Sequence, residues 1–276
     1  SVHDEYDQYI VVSFINATVV LGVSDSISEI THSCFDVRNS TIYVALIGND
    51  KYIQVISEGI IHIAKGKKSF LKSNSKVKCA CSNLKQLIIG LENKEMLYFE
   101  HDGNELCKPD IKVLDQDIIC VDISPVMEGR TKSKFVVVGC GDNTIRIFSL
   151  EIEQCLSKVS FQILPYQISS LCFVSYCNDS NVYLYVGLAN GVLVKTVIDG
   201  VTGNQMDMQA KYMGLTKVKL YRIVHQGNEC LVACSSKAYL CYKYMGKYYS
   251  DVFYNDTIEC VTHFNSKNIY DGIIVI

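Results

Sequence analysis

The sequence predicts an all-β fold made of repeated hairpins. Three observations support this prediction: a repeat of about 45 residues, an alternation of period two inside each repeat, and turn residues at its centre. Each copy is an apolar run, a break of Gly or small polar residues, and a second strand-like run. The copies begin at Tyr9, Tyr43, Leu87, Phe135, Leu184 and Leu231.

The period favours strands over helices. Ile145 and Ile147 flank Arg146, which is a repeat of two residues rather than 3.6. Turn-forming residues separate the two halves of each copy, where a positive φ or a side-chain to backbone bond is needed. These turns are Asn49-Asp50, Glu92-Asn93, Asp142-Asn143 and Asn190-Gly191.

Each repeat has room for four short strands, which is one blade of a β-propeller. A hairpin cannot bury its faces alone, so about six such units are expected to pack around an axis. The usual WD40 signature, a Trp-Asp pair with an upstream Gly-His, is absent, and the chain has 0 Trp. We therefore predict a WD40-like propeller without the WD signature, with about six of seven blades present. Apolar packing, rather than the usual polar network, is expected to hold the blades together.

Composition favours one domain over residues 1–276. The chain is 49% hydrophobic and 20% charged, and no Pro-rich, Ser-rich or charged linker interrupts the repeat. The longest apolar stretch, Ile10 to Val23, is broken by polar residues and is shorter than the roughly 20 residues that span a bilayer. It is predicted to be a buried hairpin. The chain opens with Ser1 and stops at Ile276 inside a strand-like run, so we expect a piece of a longer protein.

The 13 cysteines are predicted to be reduced thiols. Their number is odd and many lie in apolar runs, where Cys acts as a small hydrophobic residue. This usage favours the cytosol or nucleus. Cys79 and Cys81 are two residues apart, but no paired CxxC or HxxxH motif accompanies them, so no zinc site is predicted.

No catalytic or cofactor motif is assembled by the sequence. Gly139-Cys140-Gly141 resembles the start of a dinucleotide fingerprint, but Thr144 replaces the third Gly and a strand follows instead of a helix. The six His are scattered, and none lies in a nucleophile elbow or a metal-binding helix. We predict a hairpin turn at the Gly pair, no cofactor and no enzyme.

A lysine cluster is the one notable concentration of charge. It is predicted to be a long basic loop whose lysines could make weak, salt-dependent phosphate contacts. Against strong nucleic-acid binding stand a net charge of -3 and the lack of Arg in the cluster. A solvated loop is favoured and phosphate contact stays open. The lysines are Lys65, Lys67, Lys68, Lys72, Lys76 and Lys78.

Four stretches carry a resemblance to a known family: Tyr9 to Thr31, Val137 to Glu151, Val186 to Gly203, and Tyr212 to Ile223. They resemble the family of splicing factor 3b subunit 3. The broader triple-propeller group also holds the large subunits of cleavage and polyadenylation specificity factor and of damaged-DNA-binding protein. The resemblance runs nearly end to end and corresponds to most of the middle propeller. It implies a fragment of a longer multi-propeller chain in which the first blade of this propeller is missing. Thr216-Lys217 stands where the family has Arg-Pro.

The resemblance implies a non-enzymatic interaction scaffold in the nucleus, acting in pre-mRNA splicing at branch-site recognition. The implied partners are other splicing factor 3b subunits, including a HEAT-repeat subunit that the flanking propellers hold. RNA contact would be indirect, and no membrane contact is implied. Two alternatives stay open: a cullin ubiquitin-ligase adaptor of the damaged-DNA-binding type, and direct RNA binding through the lysine cluster.

Overall fold

The computed structural model describes residues 6–24, 26–30, 34–48, 50–176, 179, 181–225 and 227–276. Within these residues the fold is all-β, and the one helical element is a 3-10 turn at Ile152–Gln154. No helix in this part of the chain is long and apolar enough to cross a membrane. The predicted all-β class is confirmed.

The described residues form seven sheets: five of four strands, one of three and one of two. The three-stranded sheet contains β1 (Tyr9–Ser13), β2 (Thr18–Val23) and β3 (Ile27–Glu29). The next contains β4 (Thr41–Ile47), β5 (Lys51–Ile56), β6 (Gly59–Ala64) and β7 (Lys67–Lys72). The third contains β8 (Val77–Ser82), β9 (Gln86–Leu91), β10 (Glu95–Glu100) and β11 (Asp110–Val113).

The remaining sheets follow in chain order. The fourth contains β12 (Ile118–Ile123), β13 (Phe135–Cys140), β14 (Thr144–Ser149) and β15 (Lys158–Ile163). The fifth contains β16 (Ile168–Ser175), β17 (Val182–Leu188), β18 (Val192–Ile198) and β19 (Gln205–Tyr212). The sixth contains β20 (Lys219–His225), β21 (Asn228–Cys234), β22 (Ala238–Tyr244) and β23 (Lys247–Tyr254). The two-stranded sheet pairs β24 (Val261–Ser266) with β25 (Ile269–Val275).

Two compact units divide the chain. Unit 1 contains Ser1–Val121 and Asn265–Asn268, and unit 2 contains Asp122–Phe264 and Ile269–Ile276. The boundaries fall inside β12 and inside the β24–β25 hairpin. The single-domain expectation stays a prediction.

The six predicted hairpins are confirmed, and six sheets of three or four strands match the six repeats. They are β1–β2, β4–β5, β9–β10, β13–β14, β17–β18 and β21–β22. Asn143 and Gly191 take a positive φ of 61° and 81° at their turns, as their residue types predict. Gly139-Cys140-Gly141 leads into a hairpin turn rather than a helix. Asn49 lies outside the described residues.

Burial follows strand position within each sheet. All six residues of β9 are buried, whereas all six residues of β7, the last strand of its sheet, are exposed. The predicted buried hairpin at Ile10 to Val23 is mostly half-buried, and Ile15 at its tip is 91% exposed. That prediction was too strong: no residue of β1 is buried, and in β2 only Thr18 and Val20 are.

The described cysteines are all free thiols, and the reduced state in the cell stays a prediction. Cys140, Cys172, Cys234 and Cys241 are buried, and Cys120 is half-buried. Cys177 lies outside the described residues. Burial raises the pKa of the Cys79 thiol to about 12, so it remains protonated at neutral pH. Among the described residues, no three His, Cys, Asp or Glu side chains meet in a way that could hold a metal ion.

Candidate interaction surfaces

The predicted basic loop is a β-hairpin instead. Lys65 and Gly66 form a two-residue turn with φ of 48° and 76°, and β7 pairs with β6 from Ala64–Lys67 onward. The prediction failed because β7 is exposed on both faces. A strand of that kind carries no apolar alternation to distinguish it from a loop.

The six lysines do not converge on one point. Lys68 and Lys72 share one face of β7, while Lys67 lies on the other because side chains alternate along a strand. The Lys68 ammonium donates to the Phe35 carbonyl at 3.2 Å. Lys65 lies in the turn, Lys76 in the connection after β7, and Lys78 on β8 of the next sheet. The structure therefore provides an extended basic surface rather than a single phosphate pocket.

Sequence reasoning considered only the charges of this hairpin and missed its apolar residues. Phe70 is 49% exposed and Leu71 is 42% exposed, both in the middle of β7. The surface is therefore mixed: cationic with an apolar centre. Their exposure could have been suspected from the run of lysines around them, since few neighbours can cover such a strand.

Unit 2 joins three consecutive sheets through a charged group. The Asp122 carboxylate on β12 accepts from the Phe173 amide on β16 at 2.6 Å and from the Arg222 guanidinium on β20 at 2.8 Å. Arg222 Nε also donates to the Phe173 carbonyl at 2.9 Å. The expectation that apolar packing alone holds the sheets is wrong here, because a buried acid and a half-buried Arg bridge the first strands of all three.

A second polar cluster lies between the fifth and sixth sheets of unit 2. The Asp179 carboxylate accepts from Tyr183 at 2.7 Å, from Tyr248 at 3.2 Å and from the Lys243 ammonium. The Tyr183 and Tyr248 hydroxyls also bond to each other. Lys195 extends this cluster, with its ammonium 3.6 Å from the centre of the Tyr248 ring. We call these five residues the Asp179 cluster.

The Asp179 cluster has shifted acid and base strengths. Burial raises the pKa of the Asp179 carboxyl, but the hydrogen bonds from Lys243 and Tyr183 outweigh it and the pKa falls to about 2. Burial and the neighbouring Lys243 charge lower the pKa of Lys195. Burial raises the pKa of the Tyr183 hydroxyl. Perturbed groups of this kind also occur in active sites. Here every Asp179 contact is made by another residue of the same cluster or its loop, which is the arrangement of a structural link.

The last strands of the sheets in unit 2 expose large apolar side chains. Phe161 on β15 is 58% exposed, and Met208 on β19, which accepts from Gln162 at 3.2 Å, is 49% exposed. On β23 the exposed aromatic and aliphatic side chains are Tyr248, Tyr249, Val252, Phe253 and Tyr254. Rims that are aromatic and rich in Met are typical of surfaces that bind proteins.

A cavity of about 660 Å³ opens on the β20–β23 sheet. Its apolar wall includes Leu240, Tyr244 and Phe253, and its polar groups include His225 and Asp251. The Tyr242 hydroxyl, also in the lining, donates to Asp251 at 2.7 Å. The chemistry of this lining suits an apolar side chain with a polar end rather than a phosphate or a metal.

Unit 1 contains a buried histidine pair. His62 on β6 and His101 at the end of β10 are each 5% exposed, with ring centres 5.6 Å apart. The Nε2 atom of each ring bonds to none of the described residues. Burial lowers the pKa of both imidazoles, and the Lys51 charge lowers it further. No sequence pattern indicates this pair, because its members lie in different repeats and no local motif connects them.

Comparison with known proteins identifies the family. The model of the RSE1/DDB1/CPSF1 second beta-propeller matches residues 1–276, which confirms the predicted fold class. Splicing factor 3B subunit 3 of Danio rerio is 37% identical over 295 residues, with 100% of this chain and 24% of the relative covered. Its Drosophila melanogaster counterpart is 36% identical over 308 residues, with 99% and 24% covered.

Relatives in plants and fungi carry related names. Spliceosome-associated protein 130 A of Arabidopsis thaliana is 34% identical over 295 residues, covering 99% of this chain and 24% of the relative. Pre-mRNA-splicing factor prp12 of Schizosaccharomyces pombe is 31% identical over 283 residues, again covering 99% and 24%. The chain thus spans about a quarter of the length of these relatives. The resemblance to splicing factor 3b subunit 3 is confirmed, and the chain belongs to the family of RSE1/DDB1/CPSF1 second β-propellers.

Proposed function

We propose that this chain is a non-enzymatic, protein-binding propeller of a splicing factor 3B subunit, acting in the nucleus in pre-mRNA splicing at branch-site recognition. The observation that carries this proposal is similarity over essentially the whole chain to splicing factors of animals, plants and fungi. The family model adds the fold but is shared with members that have other names, and the splicing names of the relatives favour the splicing role.

The geometry supports binding over catalysis. Asp122 and Asp179 each accept several hydrogen bonds, and both link neighbouring sheets. By contrast, the last strands β15, β19 and β23 present apolar side chains to solvent. In an interaction scaffold, buried charged groups are expected to link structural elements, while exposed apolar side chains are available to bind a partner. Unit 2 has this distribution.

The partners we propose are other splicing factor 3B subunits, including a HEAT-repeat subunit contacted mainly by neighbouring propellers of the longer protein. RNA contact is proposed to be indirect, since the six lysines are spread over a turn, two faces of β7, a connection and β8. No cofactor is part of this proposal. A cullin adaptor role is the alternative, because the matched family also includes DDB1.

Affinity capture tests the proposal. The tagged 276-residue chain is incubated with nuclear extract, and bound proteins are identified by mass spectrometry against the tag alone. We expect enrichment of splicing factor 3B subunits. A matched variant, Phe253→Ser, removes one exposed aromatic side chain from β23 and shows whether that rim takes part. Enrichment of a cullin without splicing proteins would contradict the proposal and favour the alternative.

A further inference from the structure

Strand β7 has an edge that pairs with no other described strand. It is the last strand of the order β4-β5-β6-β7, so β6 is its one neighbour among the strands that the structure describes. The two-residue turn makes Ala64 and Lys67 exchange backbone hydrogen bonds between β6 and β7. In an antiparallel ladder such directly bonded residues alternate with residues whose backbone groups point outward. The amides and carbonyls of Lys68, Phe70 and Lys72 consequently point away from β6. No hydrogen bond joins these backbone groups to any residue that the structure describes.

The charge along this edge is of one sign. Residues 65 to 78 contain six Lys and neither Asp nor Glu. None of these lysines forms an ion pair with a carboxylate in the described part of the chain. On a chain of net charge -3 this is a local concentration of positive charge, which attracts an anionic partner and raises its rate of encounter.

The edge also offers apolar contacts on both faces of the sheet. Phe70 shares a face with Lys68 and Lys72, and Leu71 shares the other face with Lys67. A strand added beside β7 would place its own side chains alternately on these two faces. Acidic side chains would meet the lysines, and apolar side chains would cover Phe70 or Leu71.

Lysines on an edge strand are also a known protection against unwanted pairing. Protection alone does not explain two half-exposed apolar residues at the centre of the strand. The last strands of two other sheets limit pairing by different means: β11 has four residues, and the pairing of β15 with β14 is bulged at Ile147/Phe148. Strand β7 is six residues long and is paired with β6 without interruption.

We propose that the free edge of β7 binds an extended, acidic and apolar segment of a partner protein by strand addition. Backbone hydrogen bonds to Lys68, Phe70 and Lys72 supply the alignment, and Lys67 and Lys72 supply the charge selectivity. The proposal goes beyond the scaffold role and does not rest on it, since it concerns the chemistry of one edge.

The test is a binding titration with the intact 276-residue chain. The probe is a fluorescein-labelled peptide of alternating glutamate and valine, and the controls are the same peptide with glutamine for glutamate and a labelled oligouridylate of similar length. We expect the acidic peptide to bind, with the affinity falling as salt rises. The neutral peptide should bind at least about tenfold more weakly, since charge attraction is lost.

Two pairs of variants separate backbone pairing from charge. Phe70→Pro removes the outward amide and Phe70→Ala removes only the side chain, so Phe70→Pro should bind about tenfold more weakly than Phe70→Ala. Lys67→Glu with Lys72→Glu should weaken binding at least about tenfold, whereas the same changes at Lys158 and Lys247, exposed on β15 and β23, should leave it unchanged. Circular dichroism verifies that each variant is folded.

Each remaining outcome overturns the inference. Equal affinity of Phe70→Pro and Phe70→Ala would show that no strand is added. Binding of the oligouridylate in place of the peptide would show that the lysines serve phosphate groups. If no probe binds, the lysines serve only to protect the edge strand against unwanted pairing.

Discussion

The two units bury polar side chains between neighbouring sheets in different ways. In unit 1, His62 and His101 face each other as neutral rings whose Nε2 atoms bond to no described residue. In unit 2, Asp122 and Arg222 are charged and bonded to each other and to the Phe173 backbone. Replacing one histidine ring of the pair in unit 1 by an apolar ring is expected to lower the free energy of unfolding only a little. The group in unit 2 leaves unpaired charge when any member is removed.

The largest effect is expected at Asp122. Asp122→Ala leaves the Arg222 guanidinium and the Phe173 amide without their acceptor, and should lower the free energy of unfolding by about 3–5 kcal/mol. Urea unfolding followed by circular dichroism measures this loss. Asp122→Asn keeps an oxygen for the Phe173 amide and should lose less. A loss below about 1 kcal/mol in Asp122→Ala would show that the charged bridge is not what joins these sheets.

A smaller effect is expected at Asp179. Its folded pKa of about 2 lies below the ordinary value near 3.9, so the folded state favours the ionised carboxylate. Its stabilisation, about 2 kcal/mol, is present above about pH 4 and is lost as the pH falls toward 2. Asp179→Asn should therefore be less stable than the wild type at pH 6, and this difference should shrink at pH 3. The exposed Asp256→Asn is the control, and a difference that persists unchanged at pH 3 would contradict the prediction.

The smallest effect concerns the histidine pair, where the folded state disfavours the charged form instead of favouring it. The folded pKa of His62 and of His101 is lowered, so the unfolded chain binds protons more readily. Stability is present above about pH 6.5 and falls as the pH drops below it. Lys51 adds to the cost of protonation, while Glu105 opposes it at His62 and Asp102 at His101.

Chemical unfolding at pH 7.5 and pH 5.5 tests the histidine pair. The double variant His62→Phe, His101→Phe should remove most of the pH dependence and keep the stability at pH 7.5 close to that of the wild type. His225→Gln, on an exposed position of β20, should change neither. An undiminished pH dependence in the double variant would assign the effect to other groups.

A feature could be predicted from the sequence when the residues that determine it are close together along the chain. The hairpins around Asn143 and Gly191 are set by a few neighbouring residues, and both were predicted at the right positions. Strand β7 was missed because a strand exposed on both faces needs no apolar alternation.

The contacts that join the sheets could not be predicted from local sequence patterns. Asp122 and Arg222 are 100 positions apart, and no local motif marks either of them. The lysine cluster was found from composition, but its division between two faces of β7 follows from the register with β6. Phe70 and the aromatic side chains of β23 are large apolar residues of the kind that usually lies in a core, and their place on the last strand of a sheet exposes them. The lysines around Phe70 are a sequence signal of that exposure, but the aromatic residues of β23 have no comparable run of charge beside them.

The order of the strands has a consequence for how this chain tolerates changes in length. Each four-stranded sheet is formed by four consecutive strands, so a connection can be lengthened without moving a strand from one sheet to another. The connection from β12 to β13 is one open example: Gly129 within it has a φ of 78°, and a Cβ added there would meet no atom within 4 Å. Extra residues there would extend into solvent, which makes this connection a natural place for an inserted tag, reporter or additional domain.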